Sequence, residues 1–375
     1  MSEAPHDTIW ISAGEASGDM HGARLARELV ARRPGLRCVG MGGPAMAAAG
    51  VDLRQDMEAI SGVGFTEVLA LVPRALRILA ETRRALAELR PRAVVVIDCP
   101  EFNFRLAKAA HGLGIPVYYY VCPQIWAWRR GRTRLLERYF REALCVFPFE
   151  QAFYEGRGVA ARYVGNPLLD ELPLDELDAM APDPERVGLL PGSRRKEIAQ
   201  LMPEFAGAAR RVAEARPGVK FTLFPAPNVD PARLLAHWPA GLDVTLADPA
   251  RRYQAMRSCG LLLLASGTVA LEAALAGTPA LVAYRLSALT YRLTRLVVRV
   301  RFASLPNLIL DREIFPERFQ AEATAEPLAR AVLDWLTHPE KPAAVRAELA
   351  RLRQVMGGPG AAGRAAELIL EDARA

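Results

Sequence analysis

LLLLASGTVALEAALAG, Leu261 to Gly277, decides how this chain folds. Its leucine run is short and wholly apolar, as in a strand covered on both faces of a sheet. The run ends at Ser266-Gly267-Thr268, and the alanine-rich residues that follow favour helix. A strand passing straight into a helix is the repeating half of a parallel α/β sheet. Such a helix opens with unpaired N–H groups and a partial positive charge, a setting for a diphosphate. Glu272 stands four residues after Thr268, on the same helical face. A carboxylate among Leu271, Ala273, Ala274 and Leu275 is costly to bury without a partner, and ribose hydroxyls would supply one.

On either side the same alternation recurs. Toward the N-terminus, apolar runs at 8–13, 37–41, 93–97, 117–121, 143–147 and 162–164 read as strands, separated by amphipathic stretches at 20–32, 73–89 and 105–112. The pattern stops at 166–186, NPLLDELPLDELDAMAPDPER, whose proline and aspartate content marks a linker. It resumes with strands at 187–190, 220–224, 260–265 and 280–284. Helical stretches follow at 197–215, 327–336 and 361–373, the last set off by GGPG at 357–360. A chain of 375 residues exceeds what one core ordinarily supports. The expected architecture is α/β, two Rossmann-like doubly wound domains facing a cleft. An N-terminal domain over 1–165 and the linker at 166–186 precede a C-terminal domain over 187–345 and a helical segment over 346–375. In such sheets ligands sit beyond the carboxyl ends of the strands, which selects the loops that matter.

Composition narrows the class. Hydrophobic residues at 51% and charged residues at 24% describe a globular chain, not a disordered one. The net charge of +6 is carried almost wholly by arginines scattered among acidic residues, so nucleic acid is not an expected partner. An anionic membrane or a phosphorylated substrate suits this charge better. Cys38, Cys99, Cys122, Cys145 and Cys259 are odd in number and form no C-x-x-C pair. They read as reduced core thiols of a cytoplasmic protein, without a disulfide framework or structural zinc. MSEAPHDTIW is no signal peptide, and the apolar runs are too short or too interrupted by arginine to span a bilayer.

Four further loops offer chemistry. GEASGD at Gly14 follows the first strand; Gly14 and Gly18 admit close backbone approach, and Glu15, Ser17 and Asp19 supply acceptors and a hydroxyl. Capping of the next helix by Ser17 or Asp19 is the simpler use. In IDCPEFN at Ile97, Asp98 ends the AVVVI run, where a carboxylate is placed to act as a general base, and Glu101 is an equal candidate by sequence. VCPQIWAWRRGR at Val121 sets two tryptophans beside three arginines, suited to a sugar phosphate or to an amphipathic surface helix. LPGSRRKE at Leu190 puts Gly192, Ser193 and Arg194 ahead of a helix, an anion site without Walker spacing. Neither GEASGD nor GVGFTE at Gly62 is a dinucleotide fingerprint. No two aspartates are separated by a single residue, and His6, His21, His111, His237 and His338 lack ligand spacing, so neither a metal nor a cofactor is expected.

Taken in order, GEASGD at Gly14, MGGPAM at Met41, GFTEVL at Gly64, IDCPEFNFRLA at Ile97 and PQIWAWR at Pro123 form one series. PFE at Pro148, VGNP at Val164, LPGSR at Leu190, SGTVALE at Ser266 and SLPNLI at Ser304 continue it over nearly the whole chain. The series resembles the lipid-A-disaccharide synthases, glycosyltransferases of GT-B type. That resemblance implies inverting transfer of 2,3-diacylglucosamine from UDP to the 6-hydroxyl of 2,3-diacylglucosamine 1-phosphate, without metal. It implies an acceptor site in the N-terminal domain, with the Gly14–Asp19 loop beside it and Asp98 as base. It also implies a UDP site in the C-terminal domain, where Arg194 offsets charge on the departing diphosphate. Gly192, Ser193, Ser266, Gly267, Thr268 and Glu272 would surround phosphates and ribose, with Asn307 and Gln320 near the nucleotide.

Acylated substrates call for apolar surface. Leu289, Leu293, Leu296 and Val300 recur at helical spacing with Arg292, Arg295 and Arg299 on another face, the pattern of a helix lying on anionic lipid. The 64–79 stretch (Phe65, Val68, Leu69, Val72, Leu76, Leu79) is a second candidate. The expectation is a peripheral protein on the cytoplasmic face of the inner membrane, compatible with a homodimer. The alternatives are a soluble glycosyltransferase, a UDP-N-acetylglucosamine 2-epimerase, or a non-catalytic nucleotide-binding regulator. The apolar 64–79 stretch favours a lipid substrate over the first two, and UDP release from acylated donor plus acceptor would discriminate against the third.

Overall fold

The computed structural model describes residues 7–57, 68–287, 290–292 and 300–372. The GVGFTE motif beyond residue 57 and most of the 289–300 stretch lie outside them.

The first sheet contains β1 (Thr8–Ala13), β2 (Arg37–Gly42), β3 (Asp52–Asp56), β4 (Ala93–Ile97), β5 (Val117–Tyr120), β6 (Glu142–Cys145) and β7 (Ala161–Tyr163). Between them run α1 (Ala16–Arg32), α2 (Pro44–Ala48), α3 (Val68–Leu89), α4 (Pro100–Gly112), α5 (Ile125–Trp128), α6 (Thr133–Tyr139) and α7 (Pro148–Glu155). The order is β3-β2-β1-β4-β5-β6-β7, and every pairing is parallel. β4 shows why the sequence folds so: each residue of AVVVI is fully buried, and β-branched side chains suit a strand covered on both faces. Each such valine contributes about 1.5–3 kcal/mol by leaving water. Ile78 and Leu86 of α3 and Phe102 and Leu106 of α4 cover one face, against Trp10, Val94 and Tyr119.

The second sheet repeats the plan with β8 (Asp183–Leu190), β9 (Lys220–Leu223), β10 (Thr245–Leu246), β11 (Cys259–Ala265), β12 (Ala280–Tyr284) and β13 (Glu317–Phe319). Its helices are α8 (Leu174–Ala179), α9 (Arg195–Ala215), α10 (Pro231–Leu235), α11 (Arg252–Arg257), α12 (Thr268–Leu275), α13 (Leu305–Leu310), α14 (Ala325–Thr337) and α15 (Glu340–Met356). The order is β10-β9-β8-β11-β12-β13, again all parallel. Met202 and Phe205 of α9 meet Leu189, Leu263 and Trp335 in its core. In each sheet the strand order reverses direction once, at β1/β4 and at β8/β11. Ligands bind at such switch points.

The chain divides into two compact units, Met1–Asp170 with Gly358–Ala375, and Glu171–Gly357. Three features differ from the sequence reading. The 166–186 segment is not a bare linker: α8 buries Leu177, and β8 begins within it at Asp183. The 346–375 stretch is not one segment either, because α15 belongs to the second unit while α16 (Ala361–Asp372) returns to the first. There α16 packs on α1, Arg364 Nε donates to the Val164 carbonyl at 2.8 Å, and the Tyr118 hydroxyl donates to Asp372 at 2.7 Å. Finally, β3, β10 and β13 lack an apolar run. Each is an edge strand, and the alternately exposed DLRQD of β3 has no reason to be apolar.

Candidate active site

At the first switch point the loops after β1 and β4 meet. Asp98 and Cys99 both take left-handed backbone conformations, φ 50° and 37°, which cost energy in side chains other than glycine. Buried Asn103 braces this turn by donating to the carbonyls of Ile97 (2.9 Å) and Asp98 (2.7 Å) while accepting from Ser12 Oγ (3.2 Å). The Tyr119 hydroxyl donates to the same Asp98 carbonyl at 2.5 Å. The turn therefore aims the Asp98 carboxylate at the start of α1. Oδ1 accepts from the Gly14 N–H at 3.1 Å, and Oδ2 is buried with no partner in hydrogen-bond geometry.

Burial pushes the Asp98 carboxyl up to about 7, against the Gly14 N–H that favours its charged form and with the Glu15 carboxylate opposing ionisation. The Gly18 and Glu15 N–H groups favour the charge too, although neither aligns well enough on Oδ2 to count as a hydrogen bond. Gly18 is required here, since a Cβ would fall 1.8 Å from Oδ2. Glu101 stands apart from this role. Its slight burial is outweighed by Arg132 and Arg129, which hold it below the usual carboxylate range. A carboxylate tuned near 7 with an unpaired oxygen suits proton abstraction, and one clamped by two guanidiniums does not.

The GEASGD loop divides in function. Glu15 and Ser17 are exposed, and Gly14 and Gly18 are buried beside Asp98. Asp19 is used elsewhere. Its oxygens accept from the N–H groups of Gly43 (2.7 Å), Ala45 (2.8 Å) and Met46 (3.0 Å), so it holds the start of α2. Neither Ser17 nor Asp19 caps α1, whose N-cap residue is Glu15 with no side-chain cap bond.

The second switch point holds a pocket of about 320 Å³. Gly192 and Ser193 after β8, and Ser266, Gly267, Thr268 and Glu272 after β11, line it together. Gly192 has φ +106°, and a Cβ there would sit 2.8 Å from Glu197, so only glycine fits. The α12 N-cap, Gly267, offers no side-chain cap, which leaves the first N–H groups of the helix for a ligand. The Ser266 hydroxyl donates to the Ala303 carbonyl at 3.3 Å. Arg194, the N-cap residue of α9, is 81% exposed and reaches Glu197 on the pocket wall at 3.3 Å.

Two pocket residues escaped the sequence reading. Arg252 Nε donates to Glu272 at 3.0 Å and fixes it on the wall, and Tyr253 lies beside it. Both follow the short edge strand β10, whose weak sequence signal hid the loop; the Asp248-Pro249 helix start was the available clue. Two expected residues do not reach the pocket. Asn307 is fully buried and spends all four of its bonding positions inside the unit. Its amide donates to Phe315 O (2.8 Å) and Glu317 (3.0 Å), and its oxygen accepts from Ile314 and Phe315 N–H (both 2.9 Å). Gln320 pairs with both backbone groups of Leu286, at 2.8 and 3.0 Å. Expected near the nucleotide, both side chains brace their own loops by these bonds.

A family model described as lipid-A-disaccharide synthetase matches residues 9–366. The lipid-A-disaccharide synthase of Myxococcus xanthus is 42% identical over 375 residues, covering 97% of each chain. That of Geobacter metallireducens is 39% identical over 379 residues, covering 99% of this chain and 98% of the other. Among solved structures, the UDP-GlcNAc 2-epimerase of Neisseria meningitidis bound to UDP-GlcNAc superposes with a TM-score of 0.66 at 14% identity, over 97% of this chain and 100% of that one. The glycotransferase of kitacinnamycin gives 0.62 at 20% identity, over 97% and 98%. These two likenesses show the GT-B-like fold alone. With a family model spanning both units and relatives this similar along nearly its whole length, the chain belongs to the lipid-A-disaccharide synthetase family.

Proposed function

We propose that Asp98 is the base, and the pocket at β8/β11 the UDP site, of the family's glycosyl transfer. The chain is a hexosyltransferase that moves 2,3-diacylglucosamine from UDP to the 6-hydroxyl of 2,3-diacylglucosamine 1-phosphate. The products are the β-1,6-linked disaccharide 1-phosphate and UDP. Asp98 Oδ2 takes the proton of the acceptor 6-hydroxyl as its oxygen bonds to the anomeric carbon of the donor. The bond from that carbon to the diphosphate breaks on the opposite face, and its electron pair leaves with UDP. The diphosphate lies at the N-terminus of α12, against Gly267 and Thr268 N–H groups and Ser193. Exposed Arg194 meets the charge that grows on it, and Glu272 accepts from the ribose. The loop at Gly14, with Glu15 and Ser17, lies on the acceptor side.

The observation that carries this reading is the orphaned, buried oxygen of Asp98, on a carboxyl raised to about 7. The test offers acylated and unacylated UDP-glucosamine with the lipid acceptor and weighs the products. Asp98→Asn should keep the fold and UDP binding but lose turnover by about 10²–10⁴-fold, the usual worth of a general base. An Asn variant that keeps more than about a tenth of kcat would move the base elsewhere, with Glu101 next. The protein acts peripherally on the cytoplasmic face of the inner membrane, where the 64–79 and 289–300 stretches meet acyl chains. No helix among the described residues is long and apolar enough to cross a membrane. Co-flotation with anionic but not neutral vesicles is the expected result.

A further inference from the structure

The loop from β5 to α6 is heavily constrained, yet base and nucleotide chemistry give it no role. Val121 takes φ 57°, an outlier for a β-branched residue. Trp126 is buried and donates its indole N–H to Glu150 at 3.0 Å. Glu150 has no exposed surface and also accepts from the N–H groups of Val146 and Phe147, each at 3.1 Å. The Tyr154 hydroxyl donates to the Pro123 carbonyl at 3.1 Å. A buried carboxylate and a strained backbone persist only where the surroundings over-determine them, and such features gather at ligand clamps.

This bracing sets out three groups. Trp128 is 48% exposed, and the Arg129 guanidinium lies 4.0 Å from its ring. The Arg132 guanidinium lies 5.8 Å from the ring of Phe104. Both arginines converge on one oxygen of Glu101, each at 2.5 Å, and Glu101 is three residues from Asp98 on the first turn of α4. Its side chain is 67% exposed. Two guanidiniums with five N–H donors apiece thus share a single oxygen of one solvated carboxylate. A phosphate monoester, with about two negative charges and three acceptor oxygens, would satisfy them better.

We propose that Arg129 and Arg132 bind the 1-phosphate of the acceptor sugar, with Trp128 against the sugar ring, and that Glu101 holds their place until the phosphate arrives. The inference rests on the reaction proposed above, because phosphate and 6-hydroxyl belong to one sugar, as the arginine pair and Asp98 belong to one set of strand-end loops.

The test compares the acceptor with its analogue lacking the 1-phosphate, both in mixed micelles of one composition. The unaltered chain should prefer the phosphorylated acceptor. The double variant Arg129→Gln, Arg132→Gln should lose about 100-fold in kcat/KM on that acceptor and less than about threefold on the analogue, as loss of two charged hydrogen bonds requires. Its KM for the UDP-sugar should not move. The Lys,Lys variant should recover part of the loss, because lysine keeps charge but not the fork. Glu101→Gln, which removes the competitor, should lower the acceptor KM. Equal loss on both acceptors, or Glu101→Gln falling as far as the arginine variants, would mean that the three residues only brace α4, and the inference would be overturned alone. No disaccharide from the unaltered chain with either acceptor would overturn the proposed reaction and this inference together.

Discussion

Asp98 carries opposed demands at the residue scale. Burial raises its carboxyl to about 7, so the folded chain holds a proton that the unfolded chain releases at lower pH. Stability contributed by this group therefore falls as pH rises from the ordinary carboxylate range through about 7, and above that the ionised form is a standing cost. The proton abstraction proposed for Asp98 needs that costly form. Turnover should rise with pH and level off above about 7, and Asp98→Asn should melt higher than the parent at pH 8 and equal to it at pH 4. Glu150, also raised to about 7 by burial, has the same sign but is common to both chains, so the comparison isolates Asp98. A rate profile flat across pH 7, or a lower-melting Asn variant at pH 8, would count against it. Arg194 makes a complementary case. It is mostly exposed, and its ion pair among the described residues is with Glu197 at the pocket wall, which leaves it able to follow charge on a diphosphate. Arg194→Ala should lower kcat more than it raises KM, because that charge peaks in the transition state. A raised KM at constant kcat would reduce Arg194 to a binding role.

At the scale of elements, the helix starts separate motif residues whose N–H groups are left open from those that hold the frame. α12 begins at an uncapped Gly267, whereas the start of α13 is capped by Glu317, which accepts from the N–H groups of Ala303 (2.9 Å) and Ser304 (2.8 Å). Asn307 ties that same Glu317 to the Ile314–Phe315 backbone. Asn307→Ala would leave buried N–H groups unpaired and should cost about 1–3 kcal/mol, seen as a lower Tm, with KM for the UDP-sugar unchanged. An unchanged Tm with a raised KM would return Asn307 to the nucleotide. The SLPNLI motif thus reads as a brace for the loop that carries the Ala303 carbonyl, to which Ser266 donates.

For the whole molecule, the leaving group must be neutralised by a chain that has no D-x-D pair. A helix end supplies about half a positive charge and Arg194 a full one. Activity should survive exhaustive EDTA treatment, and added Mg²⁺ or Mn²⁺ should change kcat by less than about threefold, under about 1 kcal/mol of barrier. Micelle composition must be held constant, since divalent ions alter how acylated phosphosugars aggregate. Loss of activity restored by one particular ion would refute this. The central strands were legible without a structure because burial on both faces forces a continuous apolar run, as in AVVVI and LLLL; with them came Asp98, Gly192 and the Ser266 loop at their ends. Three things were decided only in three dimensions. Edge strands β3, β10 and β13 bury little and so leave no periodic mark, which also hid Arg252. That Glu101 is paired while a buried oxygen of Asp98 is not depended on Arg129 and Arg132, 28 and 31 residues from Glu101, converging on that one carboxylate. The return of α16 to the first unit rests on long-range bonds such as Arg364 to Val164, 200 residues apart, and local sequence has no means of encoding a partner that distant.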